Sequence, residues 1–185
     1  MSEDRLKITN ITLTAELKCN LNLRHIALNT YNCELRNNKF HNLIIRSRIP
    51  SSTCLLYSTG KLIMTGIKSF INGKQAIRKI ARIIQMLGYN VKLRSIKVRN
   101  IAGCFDFCKP INLAQVSQFI GKEASYEPEI FHGLIIRYNK VSLTVYHNGK
   151  MLITGATSEE ILKVHFEAFN KKLNNFIISE NCIKI

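Results

Sequence analysis

The sequence contains no tryptophan, and only 3 prolines and 9 glycines among its 185 residues. So little proline and glycine excludes a collagenous or low-complexity chain. No apolar run approaches the ~18–20 residues of a helical membrane span, and no charged-then-apolar signal opens the chain. Acidic side chains are scarce, 12 Asp and Glu against 27 Lys and Arg, for a formal charge of +15. Apolar residues, in contrast, make up 46%, which is enough to build a core and too much for wholesale disorder. The six cysteines (Cys19, Cys33, Cys54, Cys104, Cys108 and Cys182) show no disulfide framework, and a chain with a full core needs none. Cys104 and Cys108 form a lone C-x3-C, whereas zinc takes about four ligands, usually from two such pairs. Free thiols and no metal are therefore expected, and no residue pattern asks for a cofactor.

A charge of +15 on one small chain points to a polyanionic partner, either nucleic acid or an anionic membrane surface. No amphipathic anchor supports the membrane. The charge is uneven: residues 1–97 hold 17 basic and 4 acidic side chains, and residues 98–185 hold 10 and 8. A purely electrostatic DNA binder needs no such split, so the basic half is expected to have an additional partner.

The most informative feature is an internal repeat at about 90 residues. FHNLIIR, from Phe40 to Arg46, recurs as FHGLIIR, from Phe131 to Arg137. STGKLIMTG, Ser58 to Gly66, recurs as HNGKMLITG, His147 to Gly155. ITNI with its downstream NLNL recurs as VRNI with PINL, pairing Asn10 with Asn100 and Leu23 with Leu113. The offset drifts between 89 and 91, which marks loop-length differences and leaves the order of elements intact. Two copies are too few for a solenoid, so a pseudo-two-fold domain is expected, with residues 6–97 as the first repeat and 98–185 as the second. No linker rich in Gly, Pro or Ser separates them, which favours one shared sheet. No long segment precedes the first repeat, so an extended regulatory tail is not expected.

In the first copy, residues 6–14 read as a strand and 21–29 as a short helix capped by Asn20. Residues 31–36, 40–47, 52–58 and 61–65 read as strands. Residues 69–87 form a long helix, with Ser69 as cap and Gly88 beyond its end. Ile77, Ile80, Ala81, Ile84 and Leu87 give that helix one apolar stripe. A strand in 91–105 opens the second copy, whose long helix runs over 158–173 behind a Thr157-x-x-Glu160 capping box.

Side chains alternate faces along a strand. One parity is a core face: Ile11, Leu43, Ile45, Leu62 and Met64, with Leu134, Ile136, Val145, Met151 and Ile153. The other carries Asn10, Thr12, Phe40, Asn42, Ile44, Arg46, Thr53, Leu55, Tyr57, Lys61, Ile63 and Thr65. Its match in the second copy carries Asn100, Ala102, Phe131, Gly133, Ile135, Arg137, Thr144, Tyr146, Lys150, Leu152 and Thr154. Amide and hydroxyl donors amid apolar neighbours, with cations at the edge, suit the DNA minor groove. A·T pairs there offer only acceptors, while G·C adds an amino donor that an apolar floor leaves unpaired. A sheet is broader than an undistorted minor groove, so it has to open and bend the duplex.

The ordered runs ITNI, LNLRHIAL, KFHNLIIRSR, YSTGKLIMTG, ARIIQMLGY, KVRNIAG, ASYEPEIFHGLIIR and NGKMLITGA resemble the TATA-binding protein family, over about residues 6–175. The resemblance implies an α+β saddle, with a curved antiparallel sheet on the concave face and two long helices on the convex face. It implies that Asn10 and Asn100 lie at the centre of the DNA-binding face and that Phe40 and Phe131 wedge between base steps. Tyr57 and Tyr146 stand where typical members carry phenylalanine. Thr12, Leu55, Ile63, Thr65, Ala102, Leu152 and Thr154 are expected to face the groove, and Lys39, Arg46, Lys61, Arg137 and Lys150 to meet phosphates. The implied function is transcription initiation in the nucleus: binding and bending A·T-rich double-stranded DNA at a TATA-like element. The implied partners are general transcription factors IIA and IIB and TBP-associated factors. Lys74, Arg78, Lys79 and Arg82 are expected to dock acidic partners such as factor IIA, and Glu127, Glu129 and Ile130 to contact factor IIB. An alternative remains open at this point, a related factor serving TATA-less promoters, because Thr12 and Ala102 replace the family's valines. Ser51 also replaces its usual arginine.

An enzyme is not expected, nor a small-molecule substrate, since no His, Cys, Asp or Glu cluster recurs in both copies. His41 and His132 do recur, on the core parity beside the wedge phenylalanines, where a structural or loop-tip role fits better than catalysis. Single-stranded RNA binding is disfavoured because the aromatics sit at strand ends and not at a sheet-centre stacking platform.

Overall fold

The computed structural model describes residues 6–36 and 41–178. The chain forms two compact units, Asn10–Arg99 and a second in which Met1–Thr9 join Asn100–Ile185. Among the described residues of the first unit, the order is β1 (Lys7–Glu16, most of which lies here), α1 (Leu23–Leu28), β2 (Cys33–Arg36), β3 (Asn42–Arg48), β4 (Ser51–Tyr57), β5 (Lys61–Ile67) and α2 (Phe70–Met86). The antiparallel strands pair in the order β2-β3-β4-β5-β1. The second unit repeats the plan with β6 (Arg94–Asp106, from Asn100 onward), α3 (Leu113–Ile120), β7 (Ala124–Ser125), β8 (Gly133–Tyr138), β9 (Val141–Tyr146), β10 (Lys150–Ala156) and α4 (Glu159–Leu173), its strands pairing as β6-β10-β9-β8-β7. The α+β class and the two-repeat plan are those the sequence predicts.

The expected core parity is buried throughout. Ile11, Leu43, Leu134, Ile136, Val145 and Ile153 are fully inaccessible, and Ile45, Leu62, Met64 and Met151 nearly so. Each such side chain contributes about 1.5–3 kcal/mol relative to exposure. One long helix covers this face in each unit. α2 supplies Ala76, Ile77, Ile80, Ala81 and Ile84, and α4 supplies Leu162, Phe166, Phe169 and Leu173. Gly73 lets α2 approach closely, because a Cβ there would fall onto Leu13 and Ile67. Cys54 sits in the same core, where burial pushes its thiol up to about 12, so it is protonated and inert at neutral pH.

Three terminal details differ from the sequence reading. α1 is capped by Asn22, whose side chain accepts from His25 N, and not by Asn20. α4 is capped by Ser158, which accepts from Ile161 N, so the Thr157 capping box does not form. The strand over 31–36 begins only at Cys33. In the first two cases two residues of capping type lie within two positions of each other, and the cap falls to the one that the backbone leaves extended next to the first helical turn. The Ser69 cap of α2 forms, and Gly88 follows that helix with φ +91°.

Matching tight turns close the two units. Gly60 (φ +79°) and Gly149 (φ +87°) each donate N–H to the tyrosine three residues earlier, Tyr57 O at 2.9 Å and Tyr146 O at 3.0 Å. A Cβ at either would overlap a backbone carbonyl oxygen, that of Cys19 or of Lys109, whereas Gly88 faces open space. All three changes to alanine carry the left-handed backbone cost of about 1–2 kcal/mol, and Gly60→Ala and Gly149→Ala should lose more than Gly88→Ala because each adds an overlap with a carbonyl oxygen. Urea unfolding of the three variants gives the comparison, and equal losses at all three positions would remove the turn argument.

Candidate nucleic-acid interface

Among the described residues, the opposite sheet face carries no helix in either unit. Cross-strand partners line it in rows. In the first unit Ile44, Leu55 and Ile63 stand side by side, next to Arg46, Thr53 and Thr65. In the second, Ile135, Thr144, Leu152 and Cys104 form one row, and Arg137, Ser142 and Thr154 the next. Leu55, Ile63, Thr65, Leu152 and Thr154 are half-buried by their neighbours alone. Ile44 and Asn42 are buried, as is Ala102 at 8% exposure, so Ala102 offers little beyond a flat apolar floor. Thr12 is half-buried on the same face.

Asn10 and Asn100 occupy equivalent places. β5 pairs Ile67 with Ile11 and then Met64 with Leu13, so Thr65 and Gly66 together oppose Thr12. β10 repeats the irregularity, with Thr154 and Gly155 opposing Ala102. Such a bulge leaves a residue outside the ladder. The asparagine fills the gap. Gly66 N donates to Asn10 Oδ1 at 2.8 Å, and Gly155 N donates to Asn100 Oδ1 at 2.7 Å. A backbone N–H can only donate, which fixes each amide with oxygen inward and leaves the two-donor NH2 for an external acceptor. Thr65 Oγ1 also donates to Asn10 Oδ1, at 3.2 Å. Thr154 leans on Ser142 O at 3.5 Å.

At the end of the second unit's face, the Phe131 ring is 41% exposed, with its centroid 6.1 Å from that of Tyr146. Gly133 makes room for it, since a Cβ there would strike both the Phe131 ring and Thr144. The matching position in the first unit is Asn42, opposite Tyr57. Phe40 and Lys39 lie outside the described residues. His41 and His132 are exposed, not on the core side as the parity predicted, because each precedes the strand and alternation does not extend to it.

Lys61, Arg137 and Lys150 are exposed. Arg46 is tied to Glu34 at 3.1 Å, and Arg36 shares the same carboxylate. Together the two guanidinium groups hold Glu34 below the usual carboxylate range. An exposed pair of this kind is weak, so Arg46 is not locked to Glu34. Among the expected partner-contact residues, Glu127, Glu129 and Ile130 are exposed in one turn, where Phe131 N donates to Glu127 O at 2.9 Å. Ile130 is 81% exposed. On α2, Arg78 and Arg82 are exposed, while Lys74 lies over the Phe70 ring at 4.5 Å. Lys79 donates to Ile49 O at 2.9 Å and to Ser47 Oγ at 3.3 Å. The expected four-cation surface is thus led by Arg78 and Arg82. Among the described residues, no cluster of three His, Cys, Asp or Glu is placed to hold a metal ion, and no helix is long and apolar enough to cross a membrane.

Known proteins match this chain over nearly its whole length. The family model described as transcription factor TFIID, or TATA-binding protein, matches residues 5–87 and 95–176. The chain belongs to the TATA-binding protein family. It is 42% identical to the TATA-box-binding protein of Schizosaccharomyces pombe, with 91% of this chain and 74% of the relative covered. It is 39% identical to that of Saccharomyces cerevisiae, covering 91% and 71%. Among solved structures, Methanococcus jannaschii TBP superimposes with a TM-score of 0.82 at 28% identity, over 92% of this chain and 99% of that one. These likenesses do not favour the alternative of a factor for TATA-less promoters.

The sequence pairing of Asn10 with Asn100 was legible, but the bulge that each asparagine caps was not. Its only sign was the repeated Thr-Gly that ends both LIMTG and MLITG. Replacing Asn100 by Leu should strand the Gly155 N–H and cost about 1–3 kcal/mol. Asn100→Asp, which keeps the acceptor, should lose much less in the same denaturation experiment. Equal loss would mean that the amide does not hold the bulge.

Proposed function

We propose that the chain is a nuclear transcription initiation factor that binds TATA-like duplex DNA through the minor groove, bends it, and recruits general transcription factors. The observation that carries this reading is that Asn10 and Asn100 each give their amide oxygen to a glycine N–H and so keep the NH2 for another acceptor, on a face that also carries rows of apolar side chains. Minor-groove A·T pairs present only N3 and O2 acceptors, which an amide NH2 satisfies, while the apolar floor leaves a guanine amino group without a partner. Thr65 contributes lone pairs or apolar contact there, its hydrogen being engaged by Asn10.

Phe131, and by sequence match Phe40, act as wedges that unstack a base step. This family is itself a standard example of that device, in which unstacking is offset by the contacts that bending allows. Tyr57 and Tyr146 support the wedges less well than phenylalanine would, because a hydroxyl pressed against stacked bases loses its water. Lys39, Arg46, Lys61, Arg137 and Lys150 take backbone phosphates, which position the protein without reading sequence. Fluorescence energy transfer across an end-labelled A·T-rich duplex should report a bend with the wild-type protein and a straighter duplex with Phe131→Ala. The double change Tyr57→Phe with Tyr146→Phe should tighten binding. An unbent wild-type complex would end the wedge reading.

The partner surfaces are read as separate. Arg78 and Arg82 on α2 offer a basic docking face for acidic partners such as factor IIA or TBP-associated factors. Glu127, Glu129 and Ile130, in the nearly neutral half and beside a DNA-contacting loop, offer an acidic and apolar contact for factor IIB. Carboxylates so placed repel phosphate, and a basic protein partner gives them a use. Arg78→Glu with Arg82→Glu should weaken factor IIA binding, and Glu129→Arg should abolish factor IIB recruitment, with DNA affinity nearly unchanged in both. Loss of DNA binding in parallel would contradict the separation.

A further inference from the structure

The first unit contains a cleft of about 380 Å³ whose lining includes Thr14, Tyr57, Lys61, Ser95, Lys97 and Arg99. Lys97 and Arg99 have no role in the reading so far. Arg99 Nε donates to Thr14 Oγ1 at 3.0 Å, so the terminal nitrogens of its guanidinium fork remain for a ligand. Lys61, Lys97 and Arg99 are all exposed. The one carboxylate in the lining, Glu16, is paired with Lys18 at 2.8 Å. It is held below its ordinary range first by Lys18, with Lys61 and Lys97 adding to the effect. Its charge is thus already answered, and the three cleft cations stand in excess.

We propose that this cleft is a phosphate site in which Arg99, oriented by Thr14 and assisted by Lys97 and Lys61, grips one backbone phosphate of duplex DNA, making the first unit the stronger electrostatic anchor. A planar guanidinium matches a phosphate through two parallel hydrogen bonds, and the hydroxyls of Thr14, Tyr57 and Ser95 supply further neutral donors. Among the described residues, the second unit lacks the device. At the 90-residue offset, Arg99 corresponds to Thr9 and Thr14 to Cys104. Thr9 Oγ1 instead donates to Ala102 O at 3.1 Å. Lysines alone, Lys7 and Lys150, stand where the first unit has Lys97 and Lys61. The inference rests on the minor-groove reading, and it assigns unequal weight to two units that this reading treats alike.

The test is the salt dependence of binding to two duplexes, one A·T-rich and one G·C-rich. Each phosphate contact contributes about 0.9 to the slope of log K against log salt. Arg99→Thr should lower the slope by about that amount and weaken both duplexes by the same factor, since phosphate contacts carry no sequence information. Arg99→Lys should keep the slope and bind less tightly. Thr9→Arg should raise the slope, and Lys97→Gln, as a second variant of the cleft, should lower it. An Arg99→Thr protein that folds and binds with the wild-type slope overturns the proposal, as does Lys97→Gln with that slope should Arg99→Thr not fold. A wild-type protein with no duplex binding would overturn the minor-groove reading as well, and that result is distinct from a bound duplex with an unchanged slope.

Discussion

The open face of each unit depends on one hydrogen bond, from a glycine N–H at a β-bulge to an asparagine oxygen. The bulge lets β5 and β10 run past their partners with Thr65–Gly66 or Thr154–Gly155 opposite a single residue. The glycines sit at φ +81° and +97°, a conformation that costs other residues strain. A donor left outside the ladder would be a liability in a surface without a covering helix. Asn10 and Asn100 remove that liability and are themselves fixed by doing so. The same bond that repairs the sheet aims an amide NH2 outward, so structural need and donor placement are met by one side chain.

Around that bond the two faces of each sheet divide the work. One long helix is enough to bury one face, and the core parity there is inaccessible almost without exception. The other face has only its own strands for company. Apolar side chains half-shielded by cross-strand neighbours keep such a face from being a simple solvated surface, and contiguous apolar patches of this kind mark interaction sites. The cations are not among them. Lys61, Arg137 and Lys150 sit at strand ends, where they flank the apolar rows and do not have to be desolvated to serve an anion.

Much of this was legible in the sequence because alternation and duplication reinforce each other. The core parity of Ile11, Leu43 and Leu62 in one copy is confirmed by Leu134, Val145 and Met151 in the other, and α2 follows from its Ile77–Ile84 stripe. Where the reading failed, the rule it used had reached its boundary. His41 was assigned by strand alternation although it precedes Asn42, the first residue of β3, and His132 precedes Gly133 in the same way. Asn20 and Asn22 are both capping residues by type, and only the backbone decides between them. The Arg99–Thr14 bond joins residues 85 apart, a separation that no local pattern reports. The role of Gly133 was hidden for a different reason, because the Phe131 ring that it makes room for is only two positions away and alternation along a strand says nothing about where that ring lies.

The two copies differ in ways that follow from what each position touches. Positions that hold the backbone are matched, with Gly60 and Gly149, Gly66 and Gly155, and Asn10 and Asn100 in the same geometry. Positions that meet solvent differ. α2 bears Lys74, Arg78, Lys79 and Arg82 with no acidic residue, whereas α4 interleaves Glu159, Glu160 and Glu167 with its lysines. Arg99 stands where the other copy has Thr9. A bulge tolerates few side chains, while a solvent-facing position accepts almost any. Two faces with one backbone can therefore keep the same asparagine-held bulge and still differ in the charge around it.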